Sequence, residues 1–173
     1  PVVKGPLNMT DMIAFVSGTF GGRLAGRGGA HGLGVRYRRR HPAWSYADPE
    51  TGVVDKPEMV HAAENVAQDI GIPLAYDYGA QRPCWVGHLL TNWMGDDGFL
   101  KRLRLEMRGF NMLGDTTWCK GRVVAKRLEG DDHLVDLEVW AENQQHRITA
   151  PGQATVILPS GERGIWPAAR PVR

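Results

Sequence analysis

The sequence predicts an α+β fold: an antiparallel sheet wrapped around one central, apolar helix. Two observations carry this. Between Pro83 and Met94 the apolar residues Val86, Leu89, Leu90, Trp93 and Met94 fall on one face at helical spacing, and Gly95 ends the pattern. After Leu100 the period changes to two, and several alternating segments follow one another across short polar links. Short links between consecutive strands favour antiparallel pairing.

Taken in order, Thr10 to Gly18 reads as a first helix. Thr10 is placed to cap it, Asp11 suits its positive N-terminal end, and Gly18 closes it. Met12, Ile13 and Val16 make its apolar stripe. From Phe20 to about Pro57 the chain is rich in Gly and Arg and has neither helical nor strand period, so a long loop is expected. It contains the basic run Val35 to Arg40 and the turn-like Asp48-Pro49-Glu50-Thr51-Gly52. His61 to Ile70 reads as a second helix, with Ala63, Val66, Ala67 and Ile70 on one face and Gly71 as its stop. Four strands are expected after the central helix: Arg102 to Arg108, Thr116 to Lys126, a segment about Val135 to Val139, and Ala154 to Leu158. Pro1 to Leu7 resembles a linker, and the Gly-, Pro- and Arg-rich tail after Pro159 is expected to be loose. A single domain over residues 1–173 is expected, with no internal repeat.

Composition narrows the function classes. The chain has 173 residues, 42% of them apolar and 23% charged, ordinary values for a globular protein. Lys and Arg number 21 against 19 Asp and Glu, a balance that argues against a dedicated nucleic-acid binder. No apolar run approaches the ~20 residues needed to cross a membrane, and no signal-peptide pattern is present. Two cysteines, Cys84 and Cys119, are too few for a disulfide framework and are expected as reduced thiols in a cytoplasmic protein. With no CxxC pair and no HExxH, a metal site has no sequence support. The chain begins Pro1-Val2-Val3 rather than with Met, as a processed product or one part of a longer polypeptide would.

Four strings, in shared order, resemble the MaoC-like dehydratases, whose fold is the hotdog. Thr10-Asp11-Met12-Ile13-Ala14-Phe15-Val16-Ser17-Gly18 is similar to that family's opening helix. Gly87-His88-Leu89-Leu90-Thr91 is similar to the start of its central helix, Phe110 to Thr116 to its Pro-Gly-Asp-Thr turn, and Glu142-Asn143-Gln144 to its Asn-Gln turn. The resemblance implies an acyl-CoA thioester as substrate, no cofactor, and pairing with a second hotdog unit as a homodimer or a heteromer. It implies a hydro-lyase that hydrates an enoyl thioester or dehydrates a hydroxyacyl thioester. A hotdog thioesterase, and a non-catalytic subunit that binds acyl-CoA and completes a partner's site, stand as alternatives.

The family's active-site pattern is Asp-x-Asn-Pro-x-His, directly after the opening helix. Here Thr19 occupies the expected place of the Asp. The segment Glu58-Met59-Val60-His61 carries the His of the pattern only after the long insertion. His61 fits the family His, Glu58 stands where the Asn would, and Asp55 lies one position too far upstream to be the Asp. His61, Glu58 and Asp55 are therefore the candidate catalytic residues, because a carboxylate and an imidazole can share proton transfer. The bland readings stand beside them: a hydrogen-bonded His at a helix start, and acids placed near a positive helix end. The resemblance places Gly87 and His88 near the thioester, where backbone N–H groups at a helix N-terminus can hold a developing oxyanion; a satisfied core His is the alternative. Tyr76, Asp77 and Arg82 either line the acyl pocket or, for Asp77 and Arg82, form a structural ion pair. Arg38, Arg39 and Arg40 either hold the CoA phosphates or form a solvated face.

Overall fold

The computed structural model describes residues 1–19, 40–44, 46–47, 50–52, 54–55 and 57–159. They fall into two compact units. One contains residues 1–5, 79–110 and 116–159; the other contains the described residues of 6–78, with 111–115.

The first unit is the sheet and its helix. Its strands are β1 (Val2–Lys4), β4 (Phe99–Leu105), β5 (Thr117–Glu129), β6 (Asp132–Asn143) and β7 (Ile148–Leu158). They form one five-stranded sheet in the order β1-β5-β6-β7-β4, and every pairing is antiparallel. All four strands expected after the central helix are present, each longer than its alternating stretch or beginning earlier. The linker expected over Pro1 to Leu7 is not: Val2–Lys4 pairs with Thr117–Cys119 as an edge strand, a length too short for any alternation to show. Between β5 and β6, Glu129 pairs with Asp132 across a tight turn whose Gly130 has φ +61°, a left-handed conformation that glycine adopts without steric cost. Between β6 and β7 the carboxamide of Asn143 accepts from the N–H groups of Gln145 and Arg147, both at 3.0 Å, and holds the turn closed.

The helix α3 (Gln81–Met94) lies against one face of this sheet. Val86 and Leu90 are fully buried among Cys119, Val135, Leu137, Val139, Ala154 and Val156, which alternate along their strands as a half-buried sheet requires. Leu89 and Met94 pack at the edge of this core. Trp93, expected inside, is 45% exposed. It lies in the last helical turn, where Met94 rather than the bulky indole takes the contact with the core. On the opposite sheet face, Arg122–Glu138, Arg127–Asp136 and Lys120–Glu142 bridge β5 and β6 at 2.7–2.8 Å. Solvent screens such surface pairs, so they add little to stability.

The second unit contains β2 (Tyr46–Ala47), β3 (Val54–Asp55), α1 (Met9–Thr19) and α2 (Glu64–Asp69). The expected insertion loop thus holds a small hairpin, β2 with β3, around the turn the sequence suggests. Helix α1 starts earlier than expected and is capped by Asn8 rather than Thr10. The Asn8 carboxamide accepts from Asp11 N–H and the Asp11 carboxylate accepts from Asn8 N–H, each at 3.1 Å, a reciprocal capping box. Met12 and Val16 are buried; Ile13, one step around the helix, is 53% exposed. Replacing Asn8 with alanine is expected to cost about 1 kcal/mol, read as a fall in urea midpoint with unchanged slope.

The second expected helix is divided. A 3-10 turn, Pro57–His61, precedes α2, and Met59 O accepts from both Ala62 N–H and Ala63 N–H at 2.8 Å. His61 therefore ends the turn and lies outside α2. Val66 and Ala67 are buried, while Ile70, at the C-cap of α2, is exposed.

Candidate active site

In the second unit, the turn Pro57–His61 delivers the His61 ring to the segment Ala75–Tyr78. The Nδ1 of His61 lies 2.9 Å from the carbonyl oxygen of Tyr76. A carbonyl can only accept, so Nδ1 carries the hydrogen, and in the neutral imidazole Nε2 is the nitrogen with the lone pair. Two aromatic rings hold the imidazole in place. Tyr76 meets it edge-on, with centroids 4.8 Å apart at 74°, and Tyr78 lies over it at 4.0 Å and 38°. Phe15 of α1 in turn lies 6.1 Å from the Tyr78 ring. Burial, with the neighbouring Asp77 carboxylate adding to it, pushes the Tyr76 phenol above its ordinary range. Tyr76 is therefore protonated at neutral pH and able to donate.

Asp77 and Asn111 are both buried, at 1% and 0% exposure. The Asp77 carboxylate accepts from the backbone N–H of Asn111 and from its side-chain Nδ2, each at 3.2 Å. The backbone N–H of Asp77 donates to Asn111 O at 2.8 Å, and Leu113 N–H to Ala75 O at 2.9 Å. Tyr76 and Met112 are bridged between them. Among the described residues, Asn111 Oδ1 is a buried acceptor with no hydrogen-bond partner.

The structure thus brings together His61, Tyr76 and Asp77 of the residues singled out from the sequence, and adds Tyr78, Phe15 and Asn111. Phe15 and Asn111 lie in strings that the sequence singles out, but no local pattern signals the part any of the three plays here, because each acts through a contact between distant chain segments. Asp55 lies in β3 and Glu58 in the turn that ends at His61, but their carboxylates lie outside the described side chains. Arg38 and Arg39 lie outside the described residues; Arg40 is exposed.

The remaining candidates belong to the sheet unit. Arg82 is 2% exposed and donates through Nη1 to Thr149 O at 3.0 Å. Gly87 and His88 are not at the N-terminus of the central helix. That helix begins at Gln81, so both lie inside it, where backbone N–H groups are taken by the helix itself. The first-turn N–H groups with no acceptor one helical turn back are those of Gln81 and Arg82, since Pro83 has none. His88 is exposed, and its Nδ1 accepts from the Lys4 ammonium at 2.8 Å. Cys84 and Cys119 are free thiols. Burial pushes the Cys119 thiol up to about 11, against a smaller lowering by Lys4, which makes it a core residue rather than a nucleophile. Among the described residues no cluster of three His, Cys, Asp or Glu side chains is placed to hold a metal ion, and no helix is long and apolar enough to cross a membrane.

No protein-family model matches the chain, and no curated protein matches it in sequence. Solved structures do. An (R)-hydratase from A. caviae involved in PHA biosynthesis superposes with a TM-score of 0.53 at 18% identity, covering 78% of this chain and 90% of that one. The chain has the hotdog fold. The same hotdog fold is shared with a MaoC-like dehydratase from Rhodospirillum rubrum, at TM-score 0.53 and 17% identity over 59% of this chain and 74% of that one. It is shared also with the ChsH1-ChsH2 complex from Mycobacterium tuberculosis, at TM-score 0.52 and 19% identity over 58% and 76%. In this hotdog chain, α3 is the central helix and β1-β5-β6-β7-β4 the sheet that wraps it, as the sequence led us to expect.

Proposed function

We propose that the chain is a MaoC-like hydro-lyase that adds water to an enoyl-CoA or removes it from a hydroxyacyl-CoA. The observation that carries this reading is the 2.9 Å contact between His61 Nδ1 and the Tyr76 carbonyl oxygen. An imidazole that donates through Nδ1 to a backbone carbonyl presents Nε2 as a base, the arrangement that proton transfer to and from water needs. Support comes from the hotdog fold held in common with the (R)-hydratase and the MaoC-like dehydratase.

In the hydration direction one group takes a proton from water as the water oxygen bonds to the β-carbon. A second group gives a proton to the α-carbon, and negative charge passes through the thioester oxygen between these events. His61 Nε2 and a carboxylic acid share the two proton transfers, with Glu58 as the first choice of acid and Asp55 behind it. Asp77 is not the acid in this scheme: both its oxygens are engaged by Asn111 and it is buried. The protonated Tyr76 is a donor that suits the thioester oxygen. Arg38, Arg39 and Arg40 hold the CoA phosphates, and this grip weakens as salt rises.

A second reading is a subunit that binds acyl-CoA and serves a partner's site. Two observations favour it: Thr19 stands at the place of the family Asp, and one structure of this fold is a complex of two different chains. In either reading the chain pairs with a second hotdog unit, a copy of itself in the first place. Among the described residues, strand β4 has a neighbour on one side alone, and open strand edges are commonly paired or covered.

The test is an assay of size-fractionated protein with a panel of enoyl-CoA substrates, following the conjugated thioester absorbance and free thiol together. Loss of absorbance without thiol, in a fraction of twice the chain mass, is the expected result. Thiol release identifies a thioesterase instead, and no change in either signal identifies a binding subunit.

A further inference from the structure

We infer that Asp77 and Asn111 are positioning residues for His61: their buried clamp holds the Tyr76 carbonyl that selects the imidazole tautomer. This deepens the reading above and rests on His61 being its proton carrier.

The argument begins with what holds the carbonyl. His61 is fixed at Nδ1 by one acceptor, Tyr76 O, at 2.9 Å. If that oxygen moved by an ångström the bond would be lost, since hydrogen bonds weaken steeply outside their normal range. Tyr76 itself lies on a very short ladder, bridged to Met112 and flanked by two backbone bonds, Leu113 N–H to Ala75 O and Asp77 N–H to Asn111 O. So short a ladder is marginal by itself. Asp77 reinforces it from the side chain.

In an ordinary hydrogen-bonded antiparallel pair, residues 77 and 111 would exchange N–H and C=O in both directions. Here the first bond is present, but Asn111 N–H goes to the Asp77 carboxylate. The carboxylate stands in for the main-chain carbonyl of residue 77, and its other oxygen takes the Asn111 amide as well. Two consequences follow. The pairing is closed by charge-assisted bonds inside a buried site, where they are strongest. The main chain after Asp77 is also released from the ladder, so that Tyr78 lies over the His61 ring at 4.0 Å. One residue thus anchors the carbonyl before it and frees the ring after it.

The unpartnered Asn111 Oδ1 shows what this arrangement costs. Turning the amide over would bring Oδ1 against the carboxylate, so the Asp77 charge dictates the amide's orientation. An Asp77→Asn replacement removes that constraint. Its Oδ1 still accepts from Asn111 N–H, and its Nδ2 can donate to Asn111 Oδ1 once the Asn111 amide turns over. The conservative variant therefore preserves the clamp, whereas Asp77→Ala and Asn111→Ala open it.

The experiment is ¹⁵N NMR of the imidazole nitrogens in the full chain at a pH where His61 is neutral, with His61→Gln to assign the signals. In the wild type, Nδ1 of His61 should appear protonated and Nε2 unprotonated. Asp77→Ala and Asn111→Ala should lower the ratio of Nδ1–H to Nε2–H tautomer by tenfold or more, and Asp77→Asn should restore it. A wild-type His61 in the Nε2–H form overturns the inference. So does an unchanged tautomer in folded Asn111→Ala, the variant that still decides the matter if Asp77→Ala does not fold. The spectrum needs no turnover, so an inactive enoyl-CoA assay would remove the hydro-lyase reading and leave this inference to stand or fall on the tautomer.

Discussion

His61→Ala is expected to lower turnover of an enoyl-CoA by about 100- to 10,000-fold, the range that a positioned acid or base contributes. The ring is half-buried, held by one backbone carbonyl and lodged against two tyrosines. Removing it leaves Tyr76 O without the His61 donor, at a cost of about 1–3 kcal/mol if no other donor replaces it. The variant should therefore fold, melt a few degrees lower, and bind acyl-CoA with little change, because the predicted loss lies in kcat. Circular dichroism and steady-state kinetics on one sample separate these effects. Full turnover by a folded His61→Ala would remove the residue from the chemistry.

A comparable effect, on stability, is expected at Gly152 in β7. A β-carbon there would overlap the carbonyl oxygen of Arg104 and Cδ2 of Leu105, and would lie 3.2 Å from the Arg104 carbonyl carbon. Two of these atoms are backbone of the neighbouring strand β4, which cannot step aside as the end of a flexible side chain can. Gly152→Ala is expected to cost about 3 kcal/mol, at the upper end of what overpacking does. Gly79→Ala, where a β-carbon would meet nothing within 4 Å, is the control. Thermal melts of the two variants should differ by many degrees. Equal melting temperatures would show that β4 yields easily at this point.

What could be read from the sequence follows physical range. Val86 and Leu90 are buried where the 3.6-residue period places them, because periodicity reports which face of a helix meets a core. Trp93 is on that face and still exposed, because the period carries no information on where along the axis the core ends. Strand β1 pairs over three residues, too few for a pattern. Around the candidate site, a local string points to His61, and Tyr76 stands in the sequence as a possible pocket-lining residue. Asn111 drew notice only as part of a turn, since its partner Asp77 is 34 residues away and no local rule links the two. Gly87 and His88 were misplaced relative to the helix start for a related reason. Pro83 reads as the opening of a helix, and the first turn tolerates proline at more than one position.

The chain passes between the two units more than once. It leaves the unit of the candidate site after Tyr78, builds the central helix and β4, returns for Asn111–Asp115, and departs again to finish the sheet. The clamp between Asp77 and Asn111 therefore closes a loop that contains an entire helix and strand. Loop-closure entropy grows only slowly with length, so this adds little to the equilibrium cost. It matters more for the order of events. The bond that orients the candidate base cannot form from a nascent chain that ends before Asn111, nor from a fragment that stops at the central helix. Orientation of the His61 ring therefore waits on a pairing between segments 34 residues apart in sequence.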